Sequence, residues 1–132
     1  MLKKFLILFV VQFFIINQSI SMEKETTFNK KLFDKAQSEG KVVIVSSWIK
    51  YCSSCASQMK VLNKAKTDGK LFDIKFDNIE YFSFDVTNKD IANLLNVKFQ
   101  TTLLIFKNNS EIYRSLGETT EDLIYEALKK SI

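Results

Sequence analysis

Short apolar runs alternate with amphipathic stretches along this chain, and their periods separate strands from helices. Residues 27–39 place Phe28, Leu32, Phe33 and Ala36 on one helical face, with Gly40 as the stop. Residues 41–48 are β-branched and nearly uncharged, the pattern of a buried strand. Residues 53–67 return to a helical period, with Met59, Leu62 and Ala65 inward and Lys60, Lys64 and Lys66 outward, ended by Asp68-Gly69. Residues 70–78 fit either a loop or a short helical piece. Ile79 to Val86 reads as a second buried strand. Thr87-Asn88-Lys89-Asp90 has the form of a capping box led by Thr87, opening a short helix through Leu94 and Leu95 that Asn96 closes. Leu103 to Phe106 is a third strand, Asn108-Asn109 a hairpin turn and Glu111 to Leu116 the returning strand. Gly117 then breaks the chain before a last helix over 120–130, with Leu123, Ile124, Ala127 and Leu128 inward. The polar start from Glu23 to Thr26 is expected to fray.

Strands joined through helices run parallel, whereas a hairpin strand must return antiparallel. The order therefore predicts an α/β fold: a mixed four-stranded sheet with helices on both faces.

The first 21 residues read differently. Met1-Leu2-Lys3-Lys4 is basic, Phe5 to Ile16 is apolar but for Gln12, and Ser19-Ile20-Ser21 offers small residues at the two positions a signal peptidase reads. This pattern predicts a secretory signal peptide over residues 1–21, cleaved after Ser21, and one domain over 22–132. An uncleaved membrane anchor is the alternative, but a span needs about 20 apolar residues. Export, to a periplasm or beyond the cell, implies a compartment where a disulfide persists.

Cleavage also removes Lys3 and Lys4, so the net charge of +4 falls to +2. The remaining lysines are interspersed with acids, which argues against nucleic-acid or anionic-membrane binding. Proline is absent, so no proline-fixed turn is available. Absence of histidine excludes serine–histidine and cysteine–histidine catalytic pairs, and three scattered glycines form no phosphate loop. Asp85 and Asp90 are read as capping and surface charges.

The candidate chemistry is Cys52-Ser53-Ser54-Cys55, which holds the only two cysteines at a strand-to-helix junction. That is the layout of a thiol–disulfide exchange site. With no third cysteine, any further disulfide must form with another molecule.

Three segments resemble the thioredoxin family, and the similarity covers roughly residues 28–130. They are Val42 to Cys55, with Trp48 four residues before the first cysteine; Phe84-Asp85-Val86-Thr87; and Thr102 to Asn108, with Gly117 where the family has a glycine. Among members, the exported reductases are most similar. The run from Phe84 to Val97 resembles the C-terminal domain of the bacterial transmembrane thiol–disulfide interchange reductase. Three departures stand out. Ser53-Ser54 replaces the family's Gly-Pro, Ser46 falls at its buried acid, and Thr101 falls at its cis-proline. A non-proline cis bond costs about 2.5–4 kcal/mol, so a trans peptide is expected before Thr101, altering the loop that partner peptides pair with.

The resemblance implies that Cys52 attacks and Cys55 resolves. Cys52 begins a helix, whose free N–H groups and dipole favour its thiolate, and Lys50 adds positive potential. Cys55 lies one turn further in, buried, and reaches back to release a mixed disulfide. Trp48 and Tyr51 are expected to shield the site, although Trp48 equally suits the core. The hydroxyls of Ser53 and Ser54 either cap the helix, the simpler role, or bond the thiolate.

The expected function is an exported thiol–disulfide oxidoreductase that reduces partner protein disulfides, acting as a monomer without a cofactor or metal. Its partners are protein thiol and disulfide substrates, together with a membrane electron donor. The alternatives are a disulfide oxidase or isomerase, and a non-enzymatic module that binds a partner or a metal. Four thiolates from two chains would satisfy zinc or an iron–sulfur cluster across a dimer. An inert Cys52–Cys55 bridge is disfavoured, because so short a loop restrains the unfolded chain little.

Overall fold

A computed structural model describes residues 24–66 and 78–131. The segment read as a signal peptide (residues 1–21), Glu23, the Asp68-Gly69 stop and most of 70–78 lie outside these residues. The elements run α1 (Lys30–Ser38), β1 (Val42–Trp48), α2 (Ser53–Ala65), β2 (Ile79–Asp85), α3 (Lys89–Leu94), β3 (Thr102–Lys107), β4 (Ser110–Leu116) and α4 (Glu121–Ser131). They build one sheet in the order β2-β1-β3-β4. β1 pairs parallel with β2 and antiparallel with β3, and β3 pairs antiparallel with β4. This is the mixed, two-faced α/β fold expected.

Alternation along each central strand divides the core. Val43, Val45, Phe82, Phe84 and Leu104 face one way and pack with Phe28, Ala36, Ala92 and Leu95. Val42, Ile44, Leu103 and Ile105 face the other and pack with Leu62, Ala65, Ile124 and Leu128. The first face is knit by aromatic rings, with Phe33 at 5.0 Å from Phe106 and Phe28 at 5.9 Å from Phe82. Asn108 and Asn109 both adopt positive φ, 52° and 61°, as a tight hairpin requires.

Several expectations shift. The side chain of Asn29 accepts a hydrogen bond from Leu32 N at 3.1 Å, so α1 opens at Lys30 and Phe28 lies before it. Leu32 is 52% exposed and Gln37 is buried in its stead. Asn88, not Thr87, caps α3; the Thr87 hydroxyl donates to Asp85 Oδ1 at 2.8 Å. On α4 Leu123 is exposed, while Tyr125 and Ser131 are buried.

Residues 24–28 are fastened rather than frayed. Thr27 and Phe28 N–H donate to Ser83 O at 2.8 and 3.0 Å, and the hydroxyls of Thr26 and Thr27 accept from Asp85 N and Ser83 N. β2 is an edge strand, and this strap satisfies its outward backbone groups at Ser83 and Asp85. It also brings Lys24 to the end of the sheet where the cysteines lie.

Candidate active site

β1 delivers the chain to the site and α2 begins it. Cys52 is the N-cap of α2, with φ −103° and ψ 108°, and its sulfur accepts the N–H of Cys55 at 3.1 Å. A polarised backbone N–H aimed at sulfur favours the thiolate, aided by the positive helix end. Cys55 is fully buried and Cys52 only partly so, and the two form a disulfide. The pair is therefore asymmetric, with Cys52 in partial contact with solvent and Cys55 sealed from it.

Thr101 lies against both sulfurs. Its Oγ1 is 3.2 Å from Cys55 Sγ, 3.6 Å from Cys52 Sγ and 2.9 Å from Ser54 Oγ. Ser54 Oγ in turn lies 3.3 Å from Cys52 Sγ. The peptide before Thr101 is trans, and its φ of +58° is a conformation that a β-branched residue rarely adopts. Three neighbours hold it there. Thr101 N donates to Ser47 O at 2.8 Å, while its carbonyl accepts from Gly117 N at 2.9 Å and from Gln58 Nε2 at 3.3 Å. Ser47 Oγ donates to Phe99 O and accepts from Thr102 N, pinning the rest of the loop.

The remaining predicted residues are dispersed. Ser54 bonds Thr101 and sits by Cys52, while the capping atom of α2 is the Cys52 sulfur. Ser53 is exposed in the first turn. Tyr51, at φ 62°, is 90% exposed and shields nothing; the Lys50 ammonium stacks over its ring at 5.0 Å. Trp48 is half-buried, and its indole N–H donates to Glu25 O at 3.2 Å. Sequence reasoning missed Lys24, whose ammonium donates to the carbonyls of Ile49 and Cys52 at 3.1 and 3.0 Å. It also missed Ser47 and the fully buried Gln58. The signals available were a pair of serines in a buried strand and a polar residue on the inner face of a helix. Lys24 had none, since its approach depends on the strap.

Ser46 is buried and bonds the Tyr81 hydroxyl at 2.6 Å; burial pushes the Tyr81 phenol up to about 12, and the Ser46 hydrogen bond offsets only part of that rise. Among the described residues no group of three or more histidine, cysteine, aspartate or glutamate side chains is arranged to hold a metal. Phe99 and Leu116, each more than half exposed, line one shallow depression with Thr102 beside the site.

The family model for thioredoxin matches residues 19–130. The chain belongs to the thioredoxin family. It is 24% identical over 110 residues to a thioredoxin H-type of Fagopyrum esculentum, covering 83% of this chain and 88% of the relative. It is 27% identical over 86 residues to thioredoxin-1 of Saccharomyces cerevisiae, covering 64% and 77% respectively. Among solved structures, Trxlp of Edwardsiella tarda superposes with a TM-score of 0.68 at 24% identity, over 76% of this chain and 94% of that one. The thioredoxin NaTrxh of Nicotiana alata gives 0.62 at 20% identity, over 76% and 82%. Membership of the thioredoxin family, with a bridged Cys52–Cys55 pair at the start of a helix, makes this chain a thiol–disulfide oxidoreductase.

Proposed function

We propose that this thioredoxin-family protein is exported and reduces disulfides of partner proteins. The observation that carries the reading is the asymmetry of the pair: a partly exposed Cys52 whose sulfur receives a helix N–H, and a fully buried Cys55. In the reduced protein the Cys52 thiolate attacks one sulfur of a partner disulfide. A Cys52–partner bond forms, the partner's S–S bond breaks, and its other sulfur leaves as a thiolate. Cys55, deprotonated, then attacks Cys52 Sγ. The Cys52–Cys55 bond forms, the mixed disulfide breaks, and the second partner thiolate leaves. The partner gains two electrons and the cysteine pair loses two. A membrane electron donor would return the pair to the dithiol. The exposed Phe99 and Leu116 offer an apolar surface on which a polypeptide docks. The export half rests on the basic, apolar and small-residue order of residues 1–21.

Substitution tests the mechanism. Cys52→Ser abolishes reduction of insulin disulfides, and Cys55→Ser accumulates protein partners bound covalently through Cys52. Full turnover by Cys52→Ser would refute it. N-terminal sequencing of the protein recovered from fractionated cells tests export: a start at Met22 supports a cleaved leader, and an intact Met1 in the cytoplasm contradicts it.

A further inference from the structure

The resolving step needs Cys55 to lose a proton inside the protein. Its sulfur is fully buried, the chain has no histidine, and no carboxylate among the described residues bonds either sulfur. The hydroxyl of Ser46 is occupied by Tyr81. Among the described residues, the side-chain group that hydrogen-bonds Cys55 Sγ is the Thr101 hydroxyl, at 3.2 Å. That hydroxyl is also 2.9 Å from Ser54 Oγ, and Ser54 is exposed. The three atoms form a continuous path from the buried sulfur to water.

We propose that Thr101 and Ser54 form a hydroxyl relay that deprotonates Cys55 for the resolving attack, a role that rests on the exchange reading above. Cys55 Sγ–H donates to Thr101 Oγ1, which donates to Ser54 Oγ, which donates to solvent. One proton moves along each link as Cys55 attacks Cys52 Sγ. Both hydroxyls end neutral, and water or a buffer base carries the proton away. The thiolate charge goes into the new Cys52–Cys55 bond and reappears on the departing partner sulfur, so no oxidant or further reductant is needed.

The backbone supports this assignment. Thr101 is held at φ +58° by contacts from β1, α2 and Gly117. Backbone strain of this kind persists where surrounding structure over-determines it, and it gathers at functional sites. Here its consequence is to aim a hydroxyl at both sulfurs.

The test uses the reduced protein and 5,5′-dithiobis(2-nitrobenzoate), with absorbance followed in stopped flow. Attack by Cys52 releases a first equivalent of nitrothiobenzoate, and resolution by Cys55 releases a second. Thr101→Val keeps the β-branched shape without the hydroxyl. It slows the second phase roughly tenfold or more at neutral pH and moves its pH profile to the alkaline side, because positioned proton transfer contributes factors of that order or larger. Thr101→Ser, which restores a hydroxyl, recovers the second phase. Ser54→Ala, at an exposed position, slows the same phase, and adding it to Thr101→Val produces no further slowing. Ser54→Ala also carries the test if Thr101→Val does not fold. Unchanged second-phase rates and pH profiles in Thr101→Val, or in Ser54→Ala where that variant stands in, overturn the relay and leave exchange standing. A wild-type protein that never releases the second equivalent overturns exchange and the relay together.

Discussion

Replacing Gln58 by glutamate changes one amide nitrogen to oxygen at a site with no spare donor. Gln58 is fully buried, and its Nε2 donates to the carbonyls of Thr101 at 3.3 Å and Glu118 at 2.8 Å. Its Oε1 already has no hydrogen-bond partner. In Gln58→Glu a carboxylate oxygen would face two carbonyl oxygens, and the second oxygen would stay unsolvated. Leaving a charge uncompensated in the interior costs about 3–5 kcal/mol. A domain of this size has a total of about 5–15 kcal/mol. Protonation relieves the conflict, because the acid O–H can donate to one carbonyl, leaving about 1–3 kcal/mol for the unmade bond. The folded-state pKa of this glutamate is therefore raised above its unfolded value of about 4.3. A raised pKa places the more favourable stability below the unfolded value, and it is lost as pH rises through the folded one. Urea unfolding of both proteins at pH 7 and pH 4 reads this directly. The expected gap is about 3–5 kcal/mol at pH 7 and about 1–3 kcal/mol at pH 4. A gap below about 1 kcal/mol at pH 7, or the same gap at both pH values, would refute the packing described for Gln58.

Three further outcomes follow from the same structure. Thr120 and Thr119 donate to Glu118 Oε1 and hold its carboxyl below the usual range, with the Thr120 backbone N–H the largest cause. A depressed pKa contributes stability above the unfolded value that is lost as pH falls, so thermal unfolding of Glu118→Gln should trail wild type at pH 7 and match it near pH 3. The Tyr81 phenol, pushed up to about 12, should give an ionisation step near that pH in an absorbance titration, and Tyr81→Phe should lack that step; its contribution is complete below about 10 and lost as pH rises through about 12. Lys24→Met should slow alkylation of reduced Cys52 by iodoacetamide at pH 7, since it removes a positive charge bonded to the Cys52 carbonyl; an unchanged rate would confine Lys24 to fastening the loop.

Much of the fold was legible because burial and periodicity coincide. The runs Val42–Val45 and Leu103–Ile105 have no polar residue, and both lie in the centre of the sheet. Cys52-x-x-Cys55 was legible from its spacing together with its place between a strand pattern and a helix pattern. Local competition between caps was less legible: Asn29 and Asn88 ended up capping helices that apolar period or a threonine-led box placed elsewhere. The strap was misread because Lys24 to Thr26 is polar, and its order comes from the open edge of β2, a tertiary fact. Thr101 was legible as a departure from a familiar pattern, but not as a hydroxyl between two sulfurs. Its direction comes from a positive φ that sequence does not announce for a β-branched residue.

The reduction potential of the Cys52–Cys55 couple tests the proposed reductase most directly. Reduced and oxidised protein would be equilibrated in dithiothreitol and glutathione buffers and followed by the fluorescence of Trp48, the only tryptophan of the chain. A reductase of partner disulfides should give a value near that of thioredoxin, about −270 mV. A value between about −180 and −120 mV, where isomerases and oxidases lie, would contradict it.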